Sequence, residues 1–129
     1  MNALLDTNIL IYYFNGLIDD EKIDSLLKDS FNISIITKIE FLSWSRLNDD
    51  VELDKKAKAF VSYATLFDLD DSIAQTTIKL RRRFKTKTPD AIIAATALVN
   101  NMSVVTNNRS DFEALGLKVI GINLNQDKK

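Results

Sequence analysis

Apolar residues are concentrated in short runs, and longer stretches of helical period separate those runs. The first run opens at Ala3, is interrupted by Asp6, Thr7 and Asn8, and resumes as Ile9-Leu10-Ile11-Tyr12-Tyr13-Phe14. Residues 3–5 read as a short buried strand, and residues 19–28 as a helix with Ile23, Leu26 and Leu27 on one face. Residues 32–36 predict a second strand, and residues 37–47 a helix whose Thr37-x-x-Glu40 start matches a capping box. Helix 54–63, a strand around 65–69, and helix 71–84 follow, the last with Ile73, Thr77, Leu80 and Phe84 on a stripe. Pro89 opens a helix through Asn100 that is apolar nearly all round, as befits a helix buried between layers. Strands 103–106 and 118–122 end the chain, with a short helix near 111–115 between them. Tyr12, Tyr13 and Phe14, at the end of the resumed run, read as core or dimer surface.

Strands alternating with helices predict a parallel sheet covered on both faces. Ligands of such sheets bind beyond the carboxyl ends of the strands, at the topological switch point. Four acids fall where that rule looks. Asp6 ends the first strand, Glu40 follows the second, Asp90 heads the Pro89 helix, and Asp111 lies beyond the strand ending at Thr106. Each of the last three has a purely structural reading. Glu40 completes the box with Thr37, Asp90 suits the helix dipole behind a Thr88 cap, and Asp111 follows Ser110 as a cap. Asp6 has no such excuse, because an acid inside an apolar run is costly unless partnered.

Composition narrows the chemistry. The 129 residues include no histidine and no cysteine. Ser-His-Asp and Cys-His nucleophilic sites and Cys/His zinc sites are therefore excluded. Carboxylates, hydroxyls, amides and cations remain, which suits hard cations held by oxygen ligands or carboxylate acid–base work. Converging on one rim, the four acids would call for two hard cations. With 46% hydrophobic and 27% charged residues, three glycines and one proline, the chain reads as one globular domain over 1–129 without linker or repeat. No apolar stretch approaches the roughly 20 residues of a membrane span, and no leader is evident, so a cytoplasmic location is expected. At a net charge of −1, any nucleic-acid footprint must be local. The one basic concentration is Arg81, Arg82 and Arg83 with Lys85 and Lys87. It is either a solvated helix end or a phosphate-holding border to the site. Phe41 and Trp44 suit base stacking less well than packing.

The segments LLDTNILIYYF, TKIEF, KTKTPDAIIAATA and VVTNNRSDFEALG, in that order, resemble the PIN-domain family, specifically the VapC-type toxin ribonucleases of prokaryotic toxin–antitoxin pairs. The resemblance spans about residues 2 to 122. It implies a three-layer α/β/α sandwich with a central parallel sheet and a Mg2+- or Mn2+-dependent endoribonuclease. Asp6, Glu40 and Asp90 match the family's core acids. Many members place a fourth acid two residues after the strand-end threonine, where this chain has Asn108. Others place it before a phenylalanine, as in Asp111-Phe112, and Asp111 is taken here with Asn108 as a neutral neighbour. Thr7, Asn8 and Thr106 are expected to donate hydrogen bonds that hold the carboxylates. The resemblance also implies a protein antitoxin and a homodimer. Competing readings are a degenerate PIN-like module that binds RNA or protein without cutting, a receiver-like phosphoacceptor, and a DNA nuclease or ribosomal-RNA processing enzyme on the same scaffold.

Overall fold

In the computed structural model, which describes residues 2–122 and Leu124, the first apolar run is a strand that turns directly into a helix. β1 (Ala3–Leu5) ends at Asp6, and α1 (Thr7–Phe14) begins at the next residue. Asp6 is the N-cap: its backbone is extended and its Oδ1 accepts from Thr7 N at 2.8 Å. The acid that had no cap to justify it therefore has one. α1 escapes a periodicity reading because Ile9 to Phe14 is β-branched, leucine and aromatic, with no polar face to mark the turn. Packing on one side of the sheet decides its conformation.

α2 (Glu21–Asp29) leads to β2 (Asn32–Ser34), and β2 also turns into a helix without a loop, α3 (Ile35–Leu42). Ser34 caps α3, its Oγ accepting from Ile36 N at 3.1 Å. The helix thus starts before the expected Thr37, strand 32–36 is shorter than expected, and the Thr37–Glu40 capping box does not form. The polypeptide leaves α3 at Ser43, and a 3-10 turn (Ser45–Asn48) replaces the rest of the expected helix. α4 (Val51–Ser62), β3 (Thr65–Phe67), α5 (Asp71–Arg83), α6 (Thr88–Val99), β4 (Ser103–Thr106), α7 (Arg109–Glu113) and β5 (Val119–Gly121) complete the order. Lys87, without a side-chain bond, sits at the cap of α6 where Thr88 was expected, and Asn108 sits at the cap of α7 where Ser110 was expected.

The strands form one parallel sheet in the order β3-β2-β1-β4-β5. Helices cover both faces, which makes the three-layer α/β/α sandwich. Successive strand residues supply opposite cores. Ala3, Leu5 and Val105 join Ile9, Ile23 and Phe41 on one side, while Leu4 and Val104 join Ile73, Leu80 and Ile93 on the other. α6 is buried without a break from Ala91 to Ala97, as its uninterrupted apolar pattern predicts. Its alanines let it lie close to the strands while it packs against α5 and α3. Among the described residues no helix is long and apolar enough to cross a membrane.

Five rings lock α1, α3 and α4 together. Phe60 of α4 lies 5.1 Å from Phe31, 5.7 Å from Phe14, 5.8 Å from Tyr13 and 5.9 Å from Phe41, centroid to centroid. Tyr13 and Phe14 are thus partly buried and packed against the core, one of the two settings expected of them. Each such ring pair adds about 0.5–1.5 kcal/mol beyond buried area. Phe60→Ala should therefore lower unfolding free energy by about 3 kcal/mol, read by urea denaturation. A loss within experimental error of zero would show that α4 is not anchored through this ring.

Candidate active site

The chain runs from β1 to β2 and β3 on one side, then returns through α5 and α6 to β4 on the other side of β1. Strand order reverses between β1 and β4, and the crevice expected there opens beyond Leu5 and Thr106. Asp6 stands at its floor, 5% exposed. Its backbone N donates to Val105 O at 3.0 Å, which ties the strand end to β4. Both carboxylate oxygens are held: Oδ1 by Thr7 N, and Oδ2 by the Thr106 hydroxyl at 2.8 Å. Thr106 Oγ1 in turn accepts from Asn108 N at 2.9 Å, so β4 and the segment entering α7 brace one acid.

Glu40 arrives from α3, in the helix's later half and not in its first turn. Its Oε1 accepts from the Thr7 hydroxyl at 2.7 Å. Thr7 Oγ1 also lies 3.0 Å from the Thr37 hydroxyl, which is fully buried. Thr7 has one hydroxyl proton, and Glu40 receives it, so Thr37 must donate to Thr7. The loop-free starts of α1 and α3 place these threonines side by side. Thr37 was legible only as a helix cap. Its position three residues before Glu40, on the same helix face, was the available signal for this role.

Asp90 lies in the first turn of α6, half-buried, and Asp111 lies exposed on α7. Asp6, Glu40, Asp90 and Asp111 line one cleft of about 600 Å³, together with Asn8, Asn108, Lys85 and Lys87. Both candidates for the fourth position, Asp111 and Asn108, therefore reach it. Asn8 lines the cleft but, among the described residues, makes no hydrogen bond to Asp6, contrary to the expected role. Thr7 holds Asp6 through its backbone N–H and spends its hydroxyl on Glu40. Arg81, Arg82 and Arg83 do not line the cleft. Arg81 Nε donates to Thr86 O at 3.4 Å, and the Arg83 guanidinium stacks 5.5 Å from the Phe84 ring centroid. The triplet ends α5, where its charge suits the helix dipole, and Arg81 supports the segment carrying Lys85 and Lys87.

Electrostatics link the acids. Burial raises the Asp6 carboxyl above its ordinary value of 3.8, against the bonds from Thr106 and Thr7, and the charges of Asp90 and Glu40 push it further up. Burial also raises Asp90, as do the charges of Glu40 and Asp111, while Lys87 pulls it back. The contact ion pairs of the described residues all lie elsewhere, at Asp20, Glu52, Asp54 and Glu113. No three described acids are gathered tightly enough to form a ready-made metal cage. Like charges at this spacing resist closer approach until a cation intervenes. The donor set fits a hard divalent cation: all oxygen, negative, partly buried, and without contact ion pairs. A second hollow of about 430 Å³ between α2 and β5, lined by Glu21, Lys22, Asp29 and Ile120 among others, gathers no comparable group.

The parallel sheet covered by helices on both faces is the fold that the resemblance to the PIN domain implied. Residues 3–117 match that family, and the chain belongs to it. Among solved structures, VapBC2 from Rickettsia felis, bound to a DNA fragment from its promoter, superposes with a TM-score of 0.80 at 22% identity, covering 95% of this chain and 100% of that one. A toxin–antitoxin complex from Klebsiella pneumoniae gives 0.74 at 29% identity over 92% and 95%. DNA-bound VapBC from Salmonella typhimurium gives 0.77 at 23% identity over 94% and 98%. Comparison with curated proteins finds no significant match.

The raised carboxyls set a pH dependence for the metal-free protein. Between 3.8 and the raised values, the folded state keeps protons that the unfolded chain has released. Stability from these groups therefore falls as pH rises through that window, and the full penalty remains above it. Asp90→Asn removes one such charge and no side-chain cap. At pH 7 without divalent ions it should melt above wild type, and the gain should shrink to nothing as pH drops below 3.8. An equal or lower melting temperature at pH 7, by calorimetry, would contradict the penalty that burial and neighbouring charge place on ionised Asp90.

Proposed function

We propose that this protein is a VapC-type toxin of a toxin–antitoxin pair, an endoribonuclease that hydrolyses RNA phosphodiester bonds with Mg2+ or Mn2+. The observation that carries the proposal is the convergence of Asp6, Glu40, Asp90 and Asp111 on one cleft at the switch point of a PIN domain. Toxin–antitoxin complexes among the similar structures support the biological half of the reading, including a cognate protein antitoxin. The same reading includes a homodimer and a cytoplasmic site of action.

Asp6, Glu40, Asp90 and Asp111 would hold the cation or cations. When bound, such an ion supplies Lewis-acid polarisation of phosphoryl oxygen and lowers the pKa of water. The residues of the chain do the remaining work. Thr7 and Thr106 fix the rotamers of Glu40 and Asp6, so the acids need little reordering when charge arrives. Lys85 and Lys87 line the same cleft and offer cations to phosphates flanking the cut. Arg81 serves that segment from behind, and Arg82 and Arg83 offer only longer-range attraction. A degenerate module that binds without cutting is disfavoured by Asp6 and Asp90, whose ionised forms the fold holds at a cost.

Purified protein should cut single-stranded or structured RNA in magnesium or manganese and stop when the ion is chelated. Cleavage unaffected by chelator, or no cleavage of any RNA by folded, metal-loaded protein, would overturn the proposal. Asp111→Asn should reduce single-turnover cleavage markedly and weaken one metal equivalent, whereas Asn108→Ala should do less, since a neutral amide adds little to a magnesium site. Wild-type cleavage by Asp111→Asn would remove Asp111 from the site and leave Asp6, Glu40 and Asp90.

A further inference from the structure

Buried threonines in the helices of this chain bond in two ways. Thr77 of α5 and Thr96 of α6 donate to the carbonyls four residues back, Ile73 O at 2.8 Å and Ile92 O at 2.7 Å, and so stay within their own helices. Thr37 of α3 does not. Ser34 already caps that helix, and Thr37 turns its hydroxyl toward α1, 3.0 Å from Thr7 Oγ1. The Thr37 side chain has no exposure, so water cannot stand in for that partner.

The residue it meets serves two acids at once. Thr7 gives its backbone N–H to Asp6 Oδ1 at 2.8 Å and its hydroxyl proton to Glu40 Oε1 at 2.7 Å. A threonine hydroxyl has one proton and two lone pairs. With the proton on Glu40, donation from Thr37 fills a lone pair of Thr7 and fixes the rotation of its hydroxyl. Thr37 and Glu40 lie three residues apart on one face of α3, so both grip the first residue of α1. The placing of Glu40 relative to Asp6 is thereby held from a residue that touches neither carboxylate.

We propose that Thr37 is a positioning residue of the acidic site, acting through Thr7 to hold Glu40 ready beside Asp6 for a divalent cation. The cation rests on the proposed function, whereas the hydroxyl relay can be read without it. Manganese affinity is taken from thermal unfolding of the full chain against metal concentration, each variant compared with its own metal-free state and no RNA present. Exchange of the Thr7 hydroxyl proton with water, followed by NMR in chelator, reports on the relay alone.

Thr37→Val keeps the shape and removes the proton, while Thr37→Ser keeps the proton and removes a methyl group. Thr37→Val should weaken manganese binding by about tenfold, the lower end of what losing a partner behind a metal ligand costs, and should speed exchange of the Thr7 proton. Thr37→Ser should restore most of both. A threonine that only filled space would give the opposite order, with valine harmless and serine harmful. Thr7→Val should weaken manganese binding at least as much, and adding Thr37→Val to it should cost nothing further, because both act along one path. Wild-type affinity in Thr37→Val, unchanged proton exchange, or losses that add in the double variant would each overturn the positioning role and leave the metal site standing. Wild-type protein indifferent to manganese would overturn the nuclease reading instead, and the purpose of Thr37 with it.

Discussion

A carboxylate placed where the sheet changes direction is the constraint on which the rest of this protein depends. Asp6 ends β1, caps α1, accepts from Thr106 of β4, and is almost wholly withdrawn from water. One side chain thus joins a strand, a helix and the neighbouring strand across the switch point. It does so in ionised form only at a cost, because burial strips water from its charge and Asp90 and Glu40 add repulsion. The neutral donors around it reduce that cost without cancelling it. Its cap lets α1 start without a loop, and the Thr7 that opens α1 meets Thr37 of α3.

The same logic distinguishes the support of the acids from the acids themselves. Thr37 never touches a carboxylate, yet its proton fixes the direction of the Thr7 hydroxyl, and Thr7 then fixes Glu40. Thr106 similarly holds Asp6 and orders the Asn108 backbone that leads into α7. The hydrogen-bonded frame consists of hydroxyls and backbone groups, which remain neutral at every working pH. A frame of lysines or arginines would have occupied the acids and blocked a cation. Lys85 and Lys87 stay exposed at the edge of the cleft instead, where they can face phosphate.

Much of this was legible in the sequence, for identifiable reasons. The buried helix from Thr88 to Val99 showed itself because, past Asp90, only Thr96 interrupts its apolar residues, and β4 because Ser103–Thr106 is bounded by turns. The acids stood out because histidine and cysteine are absent. The helix at Thr7–Phe14 did not, since its apolar residues fill every face and only packing separates it from a strand. Helix starts were misplaced by a residue or two wherever threonine and serine offered competing caps, as at Ser34 against Thr37. The Thr7–Thr37 contact joins residues thirty positions apart and has no local signature. Arg81 to Arg83 could be read from sequence as a helix end or as a border to the site, and in the fold they end α5 without lining the cleft.

On the proposed function, Asp6, Glu40, Asp90 and Asp111 would bind a divalent cation that offsets the cost of their partly buried charge. A ligand that binds only the folded state raises its stability by RT ln(1 + [L]/Kd), about 2.7 kcal/mol at a hundredfold excess over Kd. Thermal unfolding at pH 7, followed while manganese is titrated against chelated protein, therefore tests the claim most directly. The melting temperature should climb with manganese, and Asp90→Asn should flatten the climb. A melting temperature indifferent to manganese in the wild-type protein would contradict the account, whatever the fold suggests.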